Sequence, residues 1–337
     1  MLIFKKIVRF AGIITLCILI ASFVFFRKLT SFSNSPCESS GTAVKFIVEP
    51  GQNLSEISDN LLDKKLIKSS LFFKILASYK ESEKSLKAGE YVLSASNTPL
   101  EILSVITRGS VKLHKLTLPE GLTIKETAMR VKDAGFGTMA DFIQLARSRK
   151  FAESVGINQA TLEGYLYPET YFFPKTASQK EIIKTMVKTF NKAYTPEFRK
   201  RTEVLGFSIH QIVTLASIIE KETGAAKERP LISSVFHNRL KKGMRLESDP
   251  TVIYGIKNFN GNITRKDLRR WTPYNTYKIK GLPPGPIANP GGKSIEAALY
   301  PADTDFIFFV SKNDTTHKFS RTIREHNRAV RKYQLNQ

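Results

Sequence analysis

The chain is poor in the residues on which several common chemistries depend. It has two cysteines and five histidines in 337 residues. Cys17 lies within an apolar run and only Cys37 falls outside it, so no intramolecular disulfide staples the remainder, and packing has to supply its stability. No two histidines stand close together, and there is no His-Glu-x-x-His, no Gly-x-Ser-x-Gly and no glycine-rich phosphate loop. These absences exclude the usual zinc-hydrolase, serine-nucleophile and nucleotide-binding patterns, and the sequence calls for no metal and no cofactor. Acidic residues are also scarce: 30 Asp and Glu face 52 Lys and Arg, a formal net charge of +22. Such an imbalance suits an anionic partner, of which nucleic acid is the usual one.

The amino terminus argues for a different partner. Lys5, Lys6 and Arg9 precede an uncharged run from Phe10 to Phe26, which Arg27 and Lys28 close. With Ile7 and Val8 this makes about 20 mostly apolar residues, a helix of roughly 30 Å that can cross a bilayer. The excess of basic residues before the span places the short tail in the cytoplasm and everything after Lys28 outside. Residues 1–29 thus read as tail and anchor, with the span at about 7–26. A cleaved signal peptide is the alternative, since Ala21 and Ser22 offer small residues; the apolar stretch Phe23–Phe26 beyond them favours an uncleaved anchor. An exported basic chain meets anionic lipid headgroups and acidic wall polymers rather than nucleic acid. A solvated lysine-rich surface is the plainer explanation of the charge.

Residues 30–42, rich in Ser, Asn and Gly, read as a tether. A small α+β module follows over 43–110. Val44, Phe46 and Val48 alternate as in a strand, and Asn53 with Glu56 caps a helix. A second helix begins at Ser69 or Ser70, a strand covers Ala88–Leu93, and a helix opens at Thr98-Pro99 and stops at Gly109. From residue 111 to 337 the chain reads as one larger region, with a strand at Lys112–Leu118, several capped helices, a Pro/Gly-rich loop at Gly281–Gly292 and a strand through Phe306–Val310. Helices and strands interleave without regular βαβ spacing, which favours α+β over a doubly wound sheet.

The most informative residue is Glu220, near the end of the apolar helix that Ser208 and Gln211 open and Gly224 is expected to stop in a left-handed turn. Stepping back along the helix from Glu220 meets Ala216, Val213 and Ile209, so the carboxyl shares an apolar stripe, while Lys221 and Glu222 are expected to turn toward water. Burial and the negative end of the helix dipole both predict a raised pKa, which a general acid requires. The alternative is a glutamate at a frayed end that reaches solvent or pairs with a Lys or Arg.

Four further clusters combine acids, amides and aromatics. Leu162–Phe173 sets Glu163 and Glu169 among Tyr165, Tyr167 and other rings, a combination that suits sugar faces and hydroxyls, or a packed core. His237, Asn238 and Arg239 form a polar row on one helix. In Leu246–Val252, Glu247 precedes Ser248-Asp249-Pro250, where Asp249 or Ser248 is read as a helix cap, with a catalytic role for Asp249 as the alternative. Tyr274, Asn275 and Tyr277 precede the rigid loop that starts at Gly281.

Taken together, these motifs resemble the YceG-like family of endolytic murein transglycosylases from the anchor to the carboxyl terminus. The most specific are Leu215-Ala-Ser-Ile-Ile-Glu-Lys-Glu-Thr223, Phe236-His-Asn-Arg-Leu240, Ser248-Asp-Pro-Thr-Val252, Tyr274-Asn-Thr-Tyr277 with Gly281-Leu-Pro-Pro-Gly-Pro-Ile287, and His317-Lys-Phe-Ser-Arg-Thr322 with Glu325-His-Asn327. Pro50–Ser58 resembles the opening of LysM domains, which bind N-acetylglucosamine-containing glycans. The resemblance implies a membrane-anchored lytic transglycosylase acting on peptidoglycan, with Glu220 as catalytic acid and then base, a LysM-like module over 43–110 and a YceG-like catalytic domain over 111–337. It extends substrate contact to Glu163, Tyr165, Tyr167, Glu169, Asn238, Arg239, Glu247, Asp249, Tyr274, Asn275 and Tyr277, and partnership to membrane lipid and peptidoglycan synthases. Glu247, Glu169 and Thr316 depart from residues common in the family. Two rival readings remain at this point: a hydrolytic muramidase using Glu163, Glu169 or Asp249 as second carboxylate, and a non-catalytic wall-binding scaffold.

Overall fold

A computed structural model describes residues 2–257 and 259–335. The chain divides into two compact units, one of residues 1–114 with 172–176, the other of 115–171 with 177–337.

In the first unit, helix α1 (Leu2–Asn34) contains the segment Gly12–Asn34, among the described residues the one single helix long and apolar enough to cross a membrane. The apolar side chains of Phe10 and from Ile13 to Phe26 stand exposed. The helix runs past Lys28 into the expected tether. The reason is packing: Leu29 and Ser33 are buried, and the Phe32 ring lies 5.5 Å from that of Phe72. Strand β1 (Ala43–Val48) pairs antiparallel with β2 (Gly89–Ser94), Ala43 opposite Ser94 and Val48 opposite Gly89. Between them run α2 (Leu54–Asp63) and α3 (Ser70–Tyr79), and α4 (Pro99–Arg108) follows. As the sequence predicts, Asn53 closes a capping box with Glu56, and α4 opens at Thr98-Pro99 and ends at Gly109; Thr98 and Glu101 add a second capping box, and Gly109 takes the left-handed conformation. Phe46, Val48, Ile57, Phe73 and Tyr91 form the core. Glu90, buried in the sheet, is balanced by Lys45 Nζ at 2.8 Å, Lys112 Nζ at 3.3 Å and His114 Nε2 at 3.4 Å.

A second pair of strands, β3 (Leu113–Thr117) and β4 (Thr170–Pro174), forms its own two-stranded sheet. The second unit is mostly helical, with α5 (Ile124–Asp133), α6 (Met139–Ala146), α7 (Arg149–Ser154), α8 (Gln179–Ala193), α9 (Pro196–Val204), α10 (Ile209–Glu222), α11 (Arg229–Lys241), α12 (Asp249–Tyr254), α13 (Arg265–Arg269) and α14 (Gly292–Leu299). A hairpin, β5 (Phe308–Ser311) with β6 (His317–Ser320), and α15 (Ile323–Val330) complete it. Helix α10 is the axis: every residue from Ile212 to Ile219 is buried, and α14, α11, α12 and α9 all pack on it. The mixture of helices and small two-stranded sheets is α+β.

One expectation about α10 fails. Gly224 does not stop it in a left-handed turn, since Thr223 takes the C-cap in an extended conformation and Gly224 has no positive φ. Its glycine answers to a distant neighbour instead: a Cβ there would meet the backbone carbonyl of Thr315, in the β5–β6 turn, at 2.5 Å.

Candidate active site

The last turn of α10 delivers Glu220 to the edge of the core. Its side chain is 8% exposed. Oε2 accepts the Gly291 N–H at 3.0 Å, and Oε1 lies 3.6 Å from Arg229 Nη2, at the start of α11. The glutamate is therefore paired with an arginine, as the plainer reading of the sequence has it, but in a nearly enclosed position rather than at a frayed end. A second carboxylate shares the guanidinium. Glu120 Oε2 lies 3.6 Å from the same Nη2, so the two carboxyl oxygens stand no further apart than twice that distance. Burial raises the Glu120 pKa, the charge of Glu220 adds to the rise, and Arg229 opposes it.

These groups are held by one buried amide. Asn289 Oδ1 accepts the N–H of Gly164 at 2.9 Å and of Leu166 at 3.0 Å, while its Nδ2 donates to the Leu122 carbonyl at 2.8 Å. Its backbone pairs with the same turn: Gly121 N–H donates to the Asn289 carbonyl and Asn289 N–H to that of Leu122. The loop from Gly281 is tied to α10 as well, with Ile287 N–H donating to the buried Ser217 hydroxyl at 3.0 Å. His210 Nε2 lies 2.9 Å from the Pro284 carbonyl, which can only accept, so Nδ1 is left to accept the Tyr165 hydroxyl at 2.9 Å. Gly121, at φ +77, makes the turn that places Glu120 just before α5.

The other residues singled out from sequence fall into separate groups. Tyr167 comes to the site: its hydroxyl would stand 2.8 Å from a Cβ at Gly292, and Glu120 is among the charges that raise its pKa, after burial. Tyr165 is core, edge-on to Phe190 at 5.0 Å. The Glu163 carboxyl is sealed, accepting Ile124 N–H at 2.8 Å and the Tyr254 hydroxyl at 3.1 Å, and burial pushes its pKa up to about 7. The Tyr274 ring lies 4.8 Å from that of Tyr254, tilted by 53°. Glu169 is exposed and accepts the N–H of Thr170.

A second polar cluster leaves the opposite side of the same turn. Glu222 does not turn toward water as expected: Ser248 Oγ donates to its Oε1 at 2.5 Å, and burial pushes its pKa up to about 7. Ser248 occupies the N-cap position of α12 yet makes no side-chain cap bond, because that hydroxyl is spent on Glu222. Asp249 is the first helical residue and not a cap, and accepts the Tyr277 hydroxyl at 2.7 Å. Arg239 is buried and donates to the carbonyls of Ile307, Arg245 and Leu246 and to Glu247 Oε2. Asn238 reaches the carbonyls of Thr304 and Phe306, and Asn275 those of Leu268 and Arg270.

Glu120, Arg229 and Asn289 are the site members that sequence reasoning did not pick out. Glu120 had a signal, an acid held in Leu118-Pro-Glu-Gly121 between a strand and a capped helix.

Compared with known proteins, residues 46–332 match the YceG-like family. Over 318 residues the chain is 35% identical to a Bacillus subtilis protein named endolytic murein transglycosylase, covering 88% of this chain and 86% of that one. A Streptococcus pneumoniae protein of the same name is 28% identical over 295 residues, which are 78% of this chain and 53% of the relative, so the chain spans about half of it. Among solved structures, a yceG-like protein from Listeria monocytogenes has 36% sequence identity and a TM-score of 0.60, with 86% of this chain and 100% of that one covered.

Proposed function

The chain belongs to the YceG-like family, and from that premise we propose that it is a membrane-anchored lytic transglycosylase that cuts peptidoglycan glycan strands between N-acetylmuramic acid and N-acetylglucosamine. The observation that carries the reading is the enclosed carboxyl of Glu220, set between the Gly291 N–H and Arg229 beside a partly exposed second acid. Glu220 gives its proton to the glycosidic oxygen as the C1–O bond breaks. The C6 hydroxyl of the same muramic acid then bonds to C1 and returns its proton to Glu220, leaving a 1,6-anhydro end. Because that internal hydroxyl replaces water, one carboxyl performs both proton transfers.

The apolar α1 serves as the anchor, with a cytoplasmic amino terminus and the remainder outside the cell membrane, where the enzyme trims or terminates nascent strands. The β1–α2–α3–β2 order of the small module supports a LysM-like contact with glycan. Peptidoglycan synthases are the protein partners this role implies.

Digestion of purified peptidoglycan by the full chain in detergent, followed by mass spectrometry of the strand ends, tests the reaction. Anhydro ends are expected. Reducing ends would instead favour a hydrolytic muramidase, for which Glu120, sharing Arg229 with Glu220, would be the second carboxylate. Unchanged cleavage by Glu220→Gln would leave only the wall-binding scaffold.

A further inference from the structure

We propose that Glu120 is a positioning residue for this site, dividing Arg229 between two carboxylates so that Glu220 remains able to carry the proton it donates. The inference rests on the reading of Glu220 as general acid. An arginine beside a lone carboxyl holds it ionised, because the guanidinium never gives up its charge. A glutamate so held has no proton to give. Here the guanidinium faces two carboxyls at the same 3.6 Å, so it neutralises one of them and leaves room for one proton on the pair. The geometry makes that proton common to the pair, since each carboxyl meets the same guanidinium; burial raises the Glu120 pKa, the charge of Glu220 adds to the rise and Arg229 opposes it.

Gly291 fixes both partners at once. Its N–H binds Glu220, and its Cα lies so close to the Glu120 carboxyl that a Cβ there would collide with Oε1. The Gly291 backbone is at φ −76, so the position requires glycine for space and not for conformation. The remaining charged groups on elements packed around Glu220 have partners of their own. Lys221 Nζ points to the Gly121 carbonyl at 3.4 Å, Lys293 pairs with Glu296 at 2.8 Å, and Glu228 binds His317 at 2.8 Å. Beyond the turn, Glu222 and Asp249 are held by Ser248 and Tyr277, and Tyr167 lies beside Glu120.

The test is the rate of glycan cleavage against pH for the full chain and for Glu120→Gln, Arg229→Met and the double variant, with strand ends analysed in the same digests. Removing Glu120 gives Arg229 wholly to Glu220, so the alkaline limb of the profile should move to lower pH by about one unit, roughly a tenfold loss on that limb. Arg229→Met should move it the opposite way, and the double variant should return it toward that of the parent chain. Gly291→Ala, which displaces Glu120 but keeps the N–H to Glu220, should shift the limb in the same direction as Glu120→Gln. Rates lowered evenly at all pH values, or limbs that move in the same direction in both single variants, overturn the proposal. If the limbs stay put while anhydro ends persist, the lyase reading stands without it. Reducing ends would sink the lyase reading whatever the limbs do.

Discussion

Glu220 and Glu222 leave the same turn of α10, two residues apart, and enter opposite chemical settings. Glu220 meets a backbone N–H, a shared arginine and a second acid that is open to solvent. Glu222 meets a serine hydroxyl and a closed polar network, in which Ser248, Thr251 and Thr276 bond one another and Glu247 N–H donates to the Thr276 carbonyl. A carboxyl in the first setting can exchange its proton with something that enters the site. In the second, the acid serves as a strut that joins α10 to the start of α12 through Ser248. Position along a helix therefore says less about a glutamate than the chain segments that come to meet it.

The widest gap expected between the two faces is in activity. Glu220→Gln, nearly isosteric but unable to donate a proton, should lower glycan cleavage by about 10²–10⁴-fold. Glu222→Gln keeps an oxygen for the Ser248 hydroxyl and should cost less than about tenfold; equal losses in a cleavage assay would erase the distinction between the faces. Next comes stability. Arg239→Met strips a donor from three carbonyls on the Glu222 side, and chemical denaturation should show a loss of about 2–4 kcal/mol. A loss below about 0.5 kcal/mol would mean that this side is not the scaffold proposed here. The smallest effect is on the pH dependence of melting. Glu222 and Glu163, both raised to about 7, keep a proton in the folded chain that the unfolded chain releases above about 4.5. Stability contributed by those protons is lost as pH rises from about 4.5 to about 7. Glu222→Gln and Glu163→Gln should each flatten part of that decline in Tm, and an undiminished slope in both would contradict it.

Local rules account for what could be read in advance. The capping boxes at Asn53 and Ser208 are four-residue devices, complete within their own sequence, and the folded chain contains both of them. Glu220 was legible because an acid at the end of an apolar helix is conspicuous. Its surroundings were not. Glu120 lies 100 residues before it in the sequence, Gly291 lies 71 after it, and nothing in a helical period points to either. Gly224 shows the same limit from the other direction: the glycine was noticed, but its cause is a carbonyl in a hairpin turn far along the chain. The aromatic cluster divides for a similar reason. Tyr165 fills the core beside Phe190 while Tyr167 reaches the site, a difference of partners and not of residue type.

Asn289 has a consequence in time as well as space. It joins turns around Leu122 and Gly164 across 167 and 125 residues of chain. Contacts so distant form late, after the intervening helices have collapsed and the loop entropy has been spent. Glu220 is therefore made well before the segment that supplies Gly291 and Asn289, and its surroundings are complete only when nearly the whole chain has been made and folded.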